Sequence, residues 1–351
     1  MKCVNAELSK NYNVFIGKGL LAEAGKRIAE ICKAESALIV TDNIVNELYA
    51  DRTERSLKAV GFKTSRFVFP NGEHSKNAET YVSILNTLSE REFTRTDLVV
   101  ALGGGVTGDL AGFAASTYLR GISFVQIPTT LLAMVDSSVG GKTGIDLPMG
   151  KNLAGAFYQP NLVLCDIDTL ASLPKAVFRD GCAEMIKHGA ALNAQLFEML
   201  KKPLEPQMEE IIALNVSIKR DIVVMDEREA GIRQILNFGH TLGHSIEKLS
   251  SYNVSHGSAV AIGMLLASRG AKRMGLCSEN CFIEIFEAIK RFNLPLETDY
   301  SAEEIIKAVR LDKKRSGQNI TLILPEKIGK CTAKKFTMDE FAAFVKLAME
   351  A

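Results

Sequence analysis

The sequence lacks several features that would place it in other protein classes. Among its 351 residues there is no tryptophan, and only five are histidines. It has no run of about 18 apolar residues, as a membrane-spanning helix would need, and its N-terminus has no apolar run of the signal-peptide type. The 42 basic and 41 acidic residues give a net charge of +1, which argues against a strongly basic nucleic-acid-binding protein. We therefore expect a cytoplasmic protein with no nucleic-acid partner and no membrane partner.

The seven cysteines show no pattern of a site. Their number is odd, and no Cys-x-x-Cys pair occurs. Disulfide frameworks and cysteine-type zinc sites normally show such pairing or spacing. The pattern favours a reduced protein whose cysteines act as small buried apolar residues.

Two kinds of pattern divide the chain. A chain of this length is typical of about two domains. In the first half, short apolar segments alternate with amphipathic helical patterns, which predicts a Rossmann-like parallel α/β sheet covered on both faces. The predicted strands are residues 37–41, 64–68, 97–102, 123–127 and 162–165, and the predicted helices are residues 20–32, 43–60, 76–90 and 108–118.

Helical periodicity dominates the second half. The predicted helices are residues 176–200, 208–224, 237–249, 257–274, 280–291, 302–309 and 338–349, and one strand is predicted at 319–324. The sequence therefore predicts an α/β domain over residues 1–175 and a mostly α-helical domain over residues 176–351.

A glycine-rich turn follows the predicted strand at 97–102. Gly103, Gly105 and Gly108 satisfy the pattern G-x-G-x-x-G and lead into a helical pattern. Such glycines let the backbone approach a pyrophosphate, whose charge the helix N-terminus attracts. A standard dinucleotide site has an acidic residue about 20 positions further on, but after Asp109 the next one is Asp136. The motif alone leaves open both nucleotide binding and a merely tight turn.

A second segment, residues 128–144, combines hydroxyl groups, three glycines and Lys142. It is only loosely similar to a P-loop, because no glycine lies five positions before Gly141. Pro128 argues against a central strand directly before it. Because Lys151 follows closely, we favour anion binding over a purely structural loop.

Three of the five histidines lie within seventeen residues. His240 and His244 are four positions apart and share a helical face, and His256 opens the next helical pattern. Imidazole binds zinc well, and a carboxylate from Glu184 or Glu247 would complete an open catalytic site. The H-E-x-x-H pattern of zincin peptidases is absent. The cluster predicts metal or acid–base chemistry. From the residues alone, His240, His244 and His256 would be chosen as a three-histidine site, and it stays open which of them bind the metal.

Basic residues recur near this cluster. Lys187 and Lys219 lie in predicted helices, and Arg233 precedes Asn237 by four positions. They are either parts of solvated helix faces or contacts to a substrate phosphate or carboxylate, and the position of Arg233 favours the second interpretation.

Taken together, these motifs resemble those of the 3-dehydroquinate synthase family. The matching segments occur in the family's order over roughly residues 40–325, and they are residues 103–109, 118–121, 128–144, 150–152, 183–187, 237–244, 256–260 and 312–314. The resemblance implies an NAD-binding α/β domain, a helical metal-binding domain, an active site between them and a homodimer.

The resemblance also implies a reaction. The small-molecule substrate would be a phosphorylated sugar acid, 3-deoxy-D-arabino-heptulosonate 7-phosphate, and the products 3-dehydroquinate and phosphate, in the shikimate pathway of aromatic amino acid biosynthesis. The expected steps are transient oxidation at C5 by NAD, β-elimination of phosphate, re-reduction, ring opening and an intramolecular aldol. The enzyme would be a carbon–oxygen lyase that uses NAD and a divalent metal, Zn²⁺ or Co²⁺.

The family's site residues carry over to matching positions. The resemblance assigns the metal to Glu184, His240 and His256, which leaves His244 to face the substrate. The substrate and catalytic set is Arg120, Asp136, Lys142, Asn152, Lys187, Lys219, Glu229, Arg233, Asn237, His244 and Lys313. Arg120 would act across the dimer interface, and the sequence does not rank Lys313 against Lys314.

The implied nucleotide set surrounds the glycine-rich turn. It consists of Asp42, Asn71, Gly72, Glu73, His74, Ser75, Lys76, Gly105, Val106, Thr107, Gly108, Asp109, Thr129, Thr130, Lys142, Lys151, Thr169, Leu170, Ala171 and Ser172. Asp42 follows a predicted strand and would supply the acidic group for the ribose.

Three alternatives remain at this point. Another sugar-phosphate cyclase, such as a 2-deoxy-scyllo-inosose synthase, would share the NAD and metal residues. A metal-dependent polyol dehydrogenase would release NADH in proportion to substrate. A non-catalytic protein with the same fold would have less reason to retain every metal and lysine position.

Overall fold

The computed structural model describes residues 1–313 and 319–350, with only the backbone of residues 311–313. Contacts along the chain divide it into two compact units. The first contains Met1–Leu173 and Met208–Arg228, and the second contains Pro174–Gln207 and Glu229–Ala351.

A mostly parallel sheet forms the centre of the first unit. Its strands are β1 (Lys2–Ala6), β2 (Tyr12–Gly17), β3 (Ser36–Asp42), β4 (Lys63–Phe69), β5 (Leu98–Gly103), β6 (Ser123–Pro128) and β9 (Leu162–Asp166). Between β6 and β9 the chain forms a separate hairpin of β7 (Lys142–Leu147) and β8 (Gly150–Phe157). The order is β1-β2-β9-β6-β5-β3-β4. Only the β1–β2 pair is antiparallel in this sheet.

Helices cover both faces of this sheet. They are α1 (Leu20–Ile31), α2 (Asn43–Val45), α3 (Asp51–Lys58), α4 (Ala78–Glu90) and α5 (Gly105–Thr117). Alternate residues of β3 enter different cores, with Ile39 packing on the α1 side and Leu38 on the α5 side. Burial on both faces is why these strands read as continuous apolar runs in the sequence.

The order in which strands are added to the sheet reverses at β3, which has β4 on one side and β5 on the other, both parallel to it. In open α/β sheets, ligands bind beyond the carboxyl ends of the strands at such a switch point. The carboxyl ends of β3 and β5 are Asp42 and Gly103, so the glycine-rich turn begins at the switch point.

The second unit is mostly helical. Its helices are α6 (Lys175–Leu192), α7 (Ala194–Met199), α9 (His240–Leu249), α10 (His256–Arg273), α11 (Glu279–Arg291), α12 (Ala302–Lys313) and α13 (Met338–Met349), and an antiparallel pair joins β10 (Asn319–Lys327) to β11 (Lys330–Thr337). In the described part of the chain, no helix combines the length and the apolar character that a membrane span requires.

The remaining long helix, α8 (Met208–Met225), belongs to the first unit. The sequence pattern placed everything after residue 175 in the helical domain, because α8 follows α6 and α7 in the chain. The contacts group α8 with the sheet instead, where it packs on β1, β2 and the turn at Ala133–Ser137. The order of helices along the chain does not show that α8 packs with the first unit.

The predicted strands at 37–41, 64–68, 97–102, 123–127 and 162–165 are confirmed, and so is the helical character of the second half. Several details were wrong. The helix predicted at 176–200 is interrupted at Asn193, whose side chain accepts a hydrogen bond from the Leu196 N–H and so starts a new helix. Pro128 ends a central strand, at its last position, where the missing N–H interrupts no interior pairing.

Several observed strands lack a clear signal in the sequence. β1, β2, β7 and β8 were not predicted, and β11 adds a second strand where one was expected after residue 174. The unpredicted hairpin lies in a glycine-rich stretch, and β11 is rich in lysine and threonine. Neither shows the apolar run of a strand buried on both faces.

Candidate active site

The predicted nucleotide residues of the first unit follow its parallel strands. Asp42 ends β3, residues 71–76 follow β4, Gly105 follows β5, Thr129 follows β6, and residues 169–172 follow β9. Parallel strands place their carboxyl ends at one edge of a sheet. The structure therefore brings these separate segments to the same edge, around the switch point.

The glycine-rich turn offers an anion site. Helix α5 starts at Gly105, earlier than predicted, and no described side chain caps its N-terminus. Its first N–H groups are those of Gly105, Val106 and Thr107. A Cβ on Gly108 would lie 2.8 Å from Gln126 Oε1, so glycine permits the close approach of the helix to β6. An uncapped helix N-terminus with a tight glycine turn fits the pyrophosphate of a dinucleotide.

Lys76 is the centre of a polar network beside this turn. The side chain is nearly buried, with its Nζ 2.5 Å from Asp109 Oδ2, and it donates a hydrogen bond to Asn152 Oδ1 at 2.5 Å. Its backbone carbonyl accepts a hydrogen bond from the Asp146 N–H at 2.8 Å. Burial alone would lower the pKa of Lys76, but the charges of Asp109 and Glu73 raise it. Lys76 therefore ties the hairpin to helix α5 as a cation.

Asp146 was not predicted as a site residue. Its Oδ1 accepts a hydrogen bond from the Asn152 N–H at 2.8 Å, and Asn152 has a left-handed backbone with φ of 54°. Asp146 thus fixes the turn that presents Asn152 and Lys151. The sequence held no signal for this, because the hairpin itself was not recognised.

Asp42 caps the short helix α2. A single oxygen, Oδ1, accepts hydrogen bonds from the N–H groups of Ile44 and Val45 at 3.0 Å. The other oxygen accepts no hydrogen bond from the described residues. The carboxylate is therefore fixed in orientation with one oxygen left for the expected ribose contact.

Tyr49 links two parts of the expected nucleotide site. Its hydroxyl donates to the Thr169 carbonyl at 3.1 Å and contacts the Ser172 hydroxyl. It lies in a π-helical turn, Asn46–Ala50, shortly after Asp42. Such turns are frequent at functional sites, but the sequence pattern gave no sign of one here.

Two predicted substrate residues meet within the first unit. Lys219, on α8, forms an ion pair with Asp136 Oδ1 at 2.5 Å and donates to the Asp136 carbonyl at 2.6 Å. These residues are 83 positions apart, and the contact depends on the return of α8 to the first unit. Lys142 starts the hairpin strand β7 and is exposed.

A carboxylate and two imidazoles converge in the second unit. Glu184 lies in the middle of α6 and is fully buried. Its Oε1 is 3.1 Å from His256 Nε2 and 3.6 Å from His240 Nε2. One ligand atom from each of the three residues lies within 4.8 Å of the others. This donor set, with one carboxylate oxygen and two imidazole nitrogens, fits a catalytic divalent-metal site with open coordination positions.

The two histidines differ in electrostatic environment. Burial, with the nearby charge of Lys187, holds the pKa of His240 well below its usual range, so His240 is neutral, as a metal ligand must be. Burial would also lower the pKa of His256, but hydrogen bonds and charge from Glu184 and Glu247 raise it to about 10. The two carboxylates thus favour positive charge at His256.

His244 is placed differently from its helix neighbour. Its side chain is 59% exposed and its Nε2 lies 3.9 Å from Glu247 Oε2, whereas His240 is nearly buried. His244, Glu247 and His256 form a second group whose ligand atoms lie within 4.8 Å of one another. The sequence could not separate the two histidines, because positions i and i+4 share one helical face.

Other predicted residues surround this centre within the second unit. Lys187 is nearly buried and forms an ion pair with Glu184 Oε2, one helical turn away. Arg233 is almost fully buried despite its guanidinium. Asn237 donates a hydrogen bond to Glu229 Oε1 at 3.1 Å.

Two further predicted substrate residues are Arg120 and Lys313. Arg120 is exposed, and it lies in a turn where Leu119, Arg120 and Gly121 all have positive φ. The side chain of Lys313 and all of Lys314 lie outside the described residues, so the choice between them stays a prediction.

Solved structures share this architecture. The 2-epi-5-epi-valiolone synthase from Streptomyces hygroscopicus, solved with NAD⁺ and Zn²⁺, is 27% identical, with a TM-score of 0.87 and 98% of each chain covered. A 2-deoxy-scyllo-inosose synthase solved with carbaglucose-6-phosphate, NAD⁺ and Co²⁺ has the same TM-score at 24% identity, with 98% and 99% covered, and shows the shared fold. Fold and candidate site together define an enzyme of the sugar-phosphate cyclase class.

Sequence comparison narrows the class to one family. Residues 66–180 match the family model described as 3-dehydroquinate synthase N-terminal, and residues 181–315 match the C-terminal one. A 3-dehydroquinate synthase of Clostridium acetobutylicum is 41% identical, over 99% of this chain and 100% of its own. One from Pelobacter propionicus is 43% identical, over 97% and 98%. The chain belongs to the 3-dehydroquinate synthase family.

Proposed function

We propose that this chain converts 3-deoxy-D-arabino-heptulosonate 7-phosphate to 3-dehydroquinate and phosphate, as a phosphate-eliminating lyase dependent on NAD and a divalent metal. The observation that carries the proposal is the convergence of Glu184, His240 and His256 in a chain that belongs to the 3-dehydroquinate synthase family. The other features of both units support the same reaction.

The proposed NAD site is the carboxyl edge of the first unit's sheet. When bound, NAD supplies a hydride acceptor that also returns the hydride, so no net oxidation results. The N–H groups that start α5 would bind the pyrophosphate, and the free oxygen of Asp42 would accept a ribose hydroxyl. Lys76 and Asp109 would hold the hairpin and the helix in place around the nicotinamide half.

The proposed metal site is Glu184, His240 and His256. When bound, the metal supplies a Lewis acid that stabilises charge developing on substrate hydroxyl oxygens. The protein holds the donors in advance, because Glu184 is buried in the middle of α6 and the two histidines are the first residues of α9 and α10. Such preorganisation avoids rearrangement during the reaction.

The substrate carries a carboxylate and a phosphate, so its site needs several cations. We propose Lys142, Lys187, Lys219, Arg233 and His244 as the residues that bind and orient these groups, with Asp136, Asn152, Glu229, Asn237 and Lys313 completing the set. Lys187, Lys219 and Arg233 are nearly buried, and buried cations bind anionic groups more strongly than exposed ones. Their role is to hold one substrate conformer while proton transfer, elimination and ring closure proceed.

We also propose that the chain acts as a homodimer. Leu147, Met149, Leu153 and Phe157 of the hairpin are exposed apolar side chains, and Leu119 beside Arg120 is another. A second copy would cover this patch. The unusual backbone at Arg120 would then present its guanidinium to the partner's substrate phosphate, in keeping with strain held at functional positions.

The metal part of the proposal is tested by Glu184→Ala. We expect turnover to fall at least about 100-fold, with NAD affinity unchanged, because NAD is assigned to the first unit. Glu198→Ala, which alters an exposed carboxylate of α7, is the matched control and should keep full activity. Unchanged turnover in Glu184→Ala would contradict the proposal.

A further inference from the structure

A second buried carboxylate touches the candidate metal site. Glu247 lies on α9, two turns beyond His240, and only 3% of it is exposed. Its Oε2 is 3.4 Å from His256 Nδ1, on the opposite side of the ring from Glu184. One imidazole is therefore held between two carboxylates.

His240 shows the same arrangement with a different partner. Its Nδ1 lies 3.2 Å from the Phe238 carbonyl, while its Nε2 faces Glu184 Oε1. A carbonyl oxygen can only accept, so Nδ1 of His240 carries the proton. Both histidines thus point Nε2 at the same carboxylate and have an acceptor beside Nδ1.

Metal-binding histidines usually donate their second ring N–H to a carboxylate or a carbonyl, which fixes the tautomer and the ring orientation. We propose that Glu247 is a positioning residue that accepts a hydrogen bond from His256 Nδ1–H and so presents Nε2 to the metal. This inference rests on the proposed function, and it assigns Glu247 a role outside the metal's ligand set.

Helix packing keeps this contact in register. A Cβ on Gly263 of α10 would lie 2.0 Å from the Gly239 carbonyl oxygen, and one on Gly243 of α9 would lie 2.9 Å from the Ala259 carbonyl oxygen. The two helices therefore approach more closely than larger residues would allow. This contact fixes the distance between Glu247 and His256.

The competing arrangement makes Glu247 a ligand. The group of His244, Glu247 and His256 would then hold the metal, using the Nδ1 side of His256. Burial favours the first arrangement, since the His244 side chain is 59% exposed whereas Glu184 is fully buried and His240 nearly so. The two arrangements predict different effects for the same substitutions at Glu247.

The test uses the metal-free full-length protein and Co²⁺ alone. Affinity is measured by competition with a chromophoric chelator, and the ligand set is read from the Co²⁺ visible absorption spectrum. We expect Glu247→Ala to weaken Co²⁺ binding about 10- to 100-fold, the usual effect of losing such a partner, without changing the spectrum. Glu247→Gln keeps an amide oxygen as acceptor and should bind within about threefold of wild type. Ser268→Ala, which removes a buried hydroxyl elsewhere on α10, is the control.

Two results would overturn the inference. Equal loss of affinity in both Glu247 variants, with an altered spectrum, would make Glu247 a ligand. Unchanged affinity in Glu247→Ala would leave it a purely structural residue. If Glu247→Ala fails to fold, the ring ¹⁵N chemical shifts of His256 in the Zn²⁺-loaded wild type distinguish the two arrangements. Protonated Nδ1 in His256 supports the inference, and protonated Nε2 contradicts it.

The assay contains neither NAD nor substrate, so its outcome is separable from the proposed function. Failure of the wild type to bind Co²⁺ would remove the metal part of the proposed function together with this inference. If the wild type binds Co²⁺ and turns over normally, and Glu247→Ala binds Co²⁺ as tightly as the wild type, this inference is refuted and the proposed function is not.

Discussion

Replacing Lys76 by methionine tests the network that joins the hairpin to the glycine-rich helix. Methionine keeps most of the length of the buried stem and removes the ammonium. Asp109 then loses its counter-ion in a place where water has little access, since 22% of its side chain is exposed. The hydrogen bond to Asn152 is lost as well.

The size of the effect follows from that burial. Removing one partner of a buried ion pair costs about 3–5 kcal/mol. Because Asp109 keeps some contact with water, we expect about 2–4 kcal/mol. For a unit of this size, that corresponds to a fall of roughly 5–15 °C in Tm, measured by circular dichroism or calorimetry.

The pH dependence has a definite sign. Burial raises the pKa of Asp109 above its ordinary value of 3.8, and Lys76 opposes this rise. In Lys76→Met the folded-state pKa of Asp109 rises further. The free energy of unfolding therefore falls as the pH increases from 3.8 to that folded-state pKa, and it is constant at higher pH. The deficit of Lys76→Met relative to wild type should therefore be smaller at pH 5 than at pH 8.

A second substitution completes the test. Asp109→Asn added to Lys76→Met removes the isolated charge and should recover more than half of the lost stability. Loss in the double variant equal to the sum of the two single losses would refute the reasoning, since it would show no coupling between the two side chains. An unchanged Tm in Lys76→Met would refute it as well.

Three further predictions concern both units. Gly257→Ala should weaken Co²⁺ binding at least about tenfold, because its Cβ would lie 2.3 Å from Asp180 Cα and displace the start of α10. Gly270→Ala is the control, because its Cβ would meet the Phe344 side chain, away from the metal site. It should destabilise the protein by about 1–3 kcal/mol and leave the Co²⁺ affinity unchanged. Equal Co²⁺ affinities in Gly257→Ala and Gly270→Ala would contradict this prediction. Tyr49→Phe should weaken NAD binding about three- to tenfold in titration calorimetry, since it removes the hydroxyl that contacts Thr169 and Ser172 in the expected adenosine-side segment. Wild-type affinity would count against that role. Chelating the metal should lower the Tm, because a ligand present at about 100 times its Kd stabilises the folded protein by about 2.7 kcal/mol. A Tm that changes neither when chelator is added nor when metal is added back would argue against a resident ion.

The central sheet could be predicted because its strands are apolar on both faces. β5, with the sequence Leu-Val-Val-Ala-Leu-Gly, is buried at every position, so its burial is visible without knowledge of its neighbours. The β7–β8 hairpin could not be predicted in this way, because its strands are half exposed and contain three glycines between Lys142 and Phe157. Its place depends on Lys76 and Asp146, which are distant contacts that local patterns do not encode.

The candidate metal site was predictable only in part. Clustering of His240, His244 and His256 pointed to metal chemistry, and the family resemblance named Glu184 from a segment more than fifty residues earlier. The sequence alone could not choose between His240 and His244, because their difference in burial arises from packing of α9 against the rest of its unit. The contact of Glu247 with His256 has the same origin.

The most direct test of the proposed function is the stoichiometry of the reaction. Metal-loaded protein is mixed with NAD and 3-deoxy-D-arabino-heptulosonate 7-phosphate, and phosphate, 3-dehydroquinate and NADH absorbance are followed together. The proposed function predicts phosphate and 3-dehydroquinate in equal amounts with no lasting NADH. Lasting NADH without phosphate would contradict it and indicate a dehydrogenase, and a protein that binds NAD and metal but releases no phosphate would indicate a cyclase for another substrate.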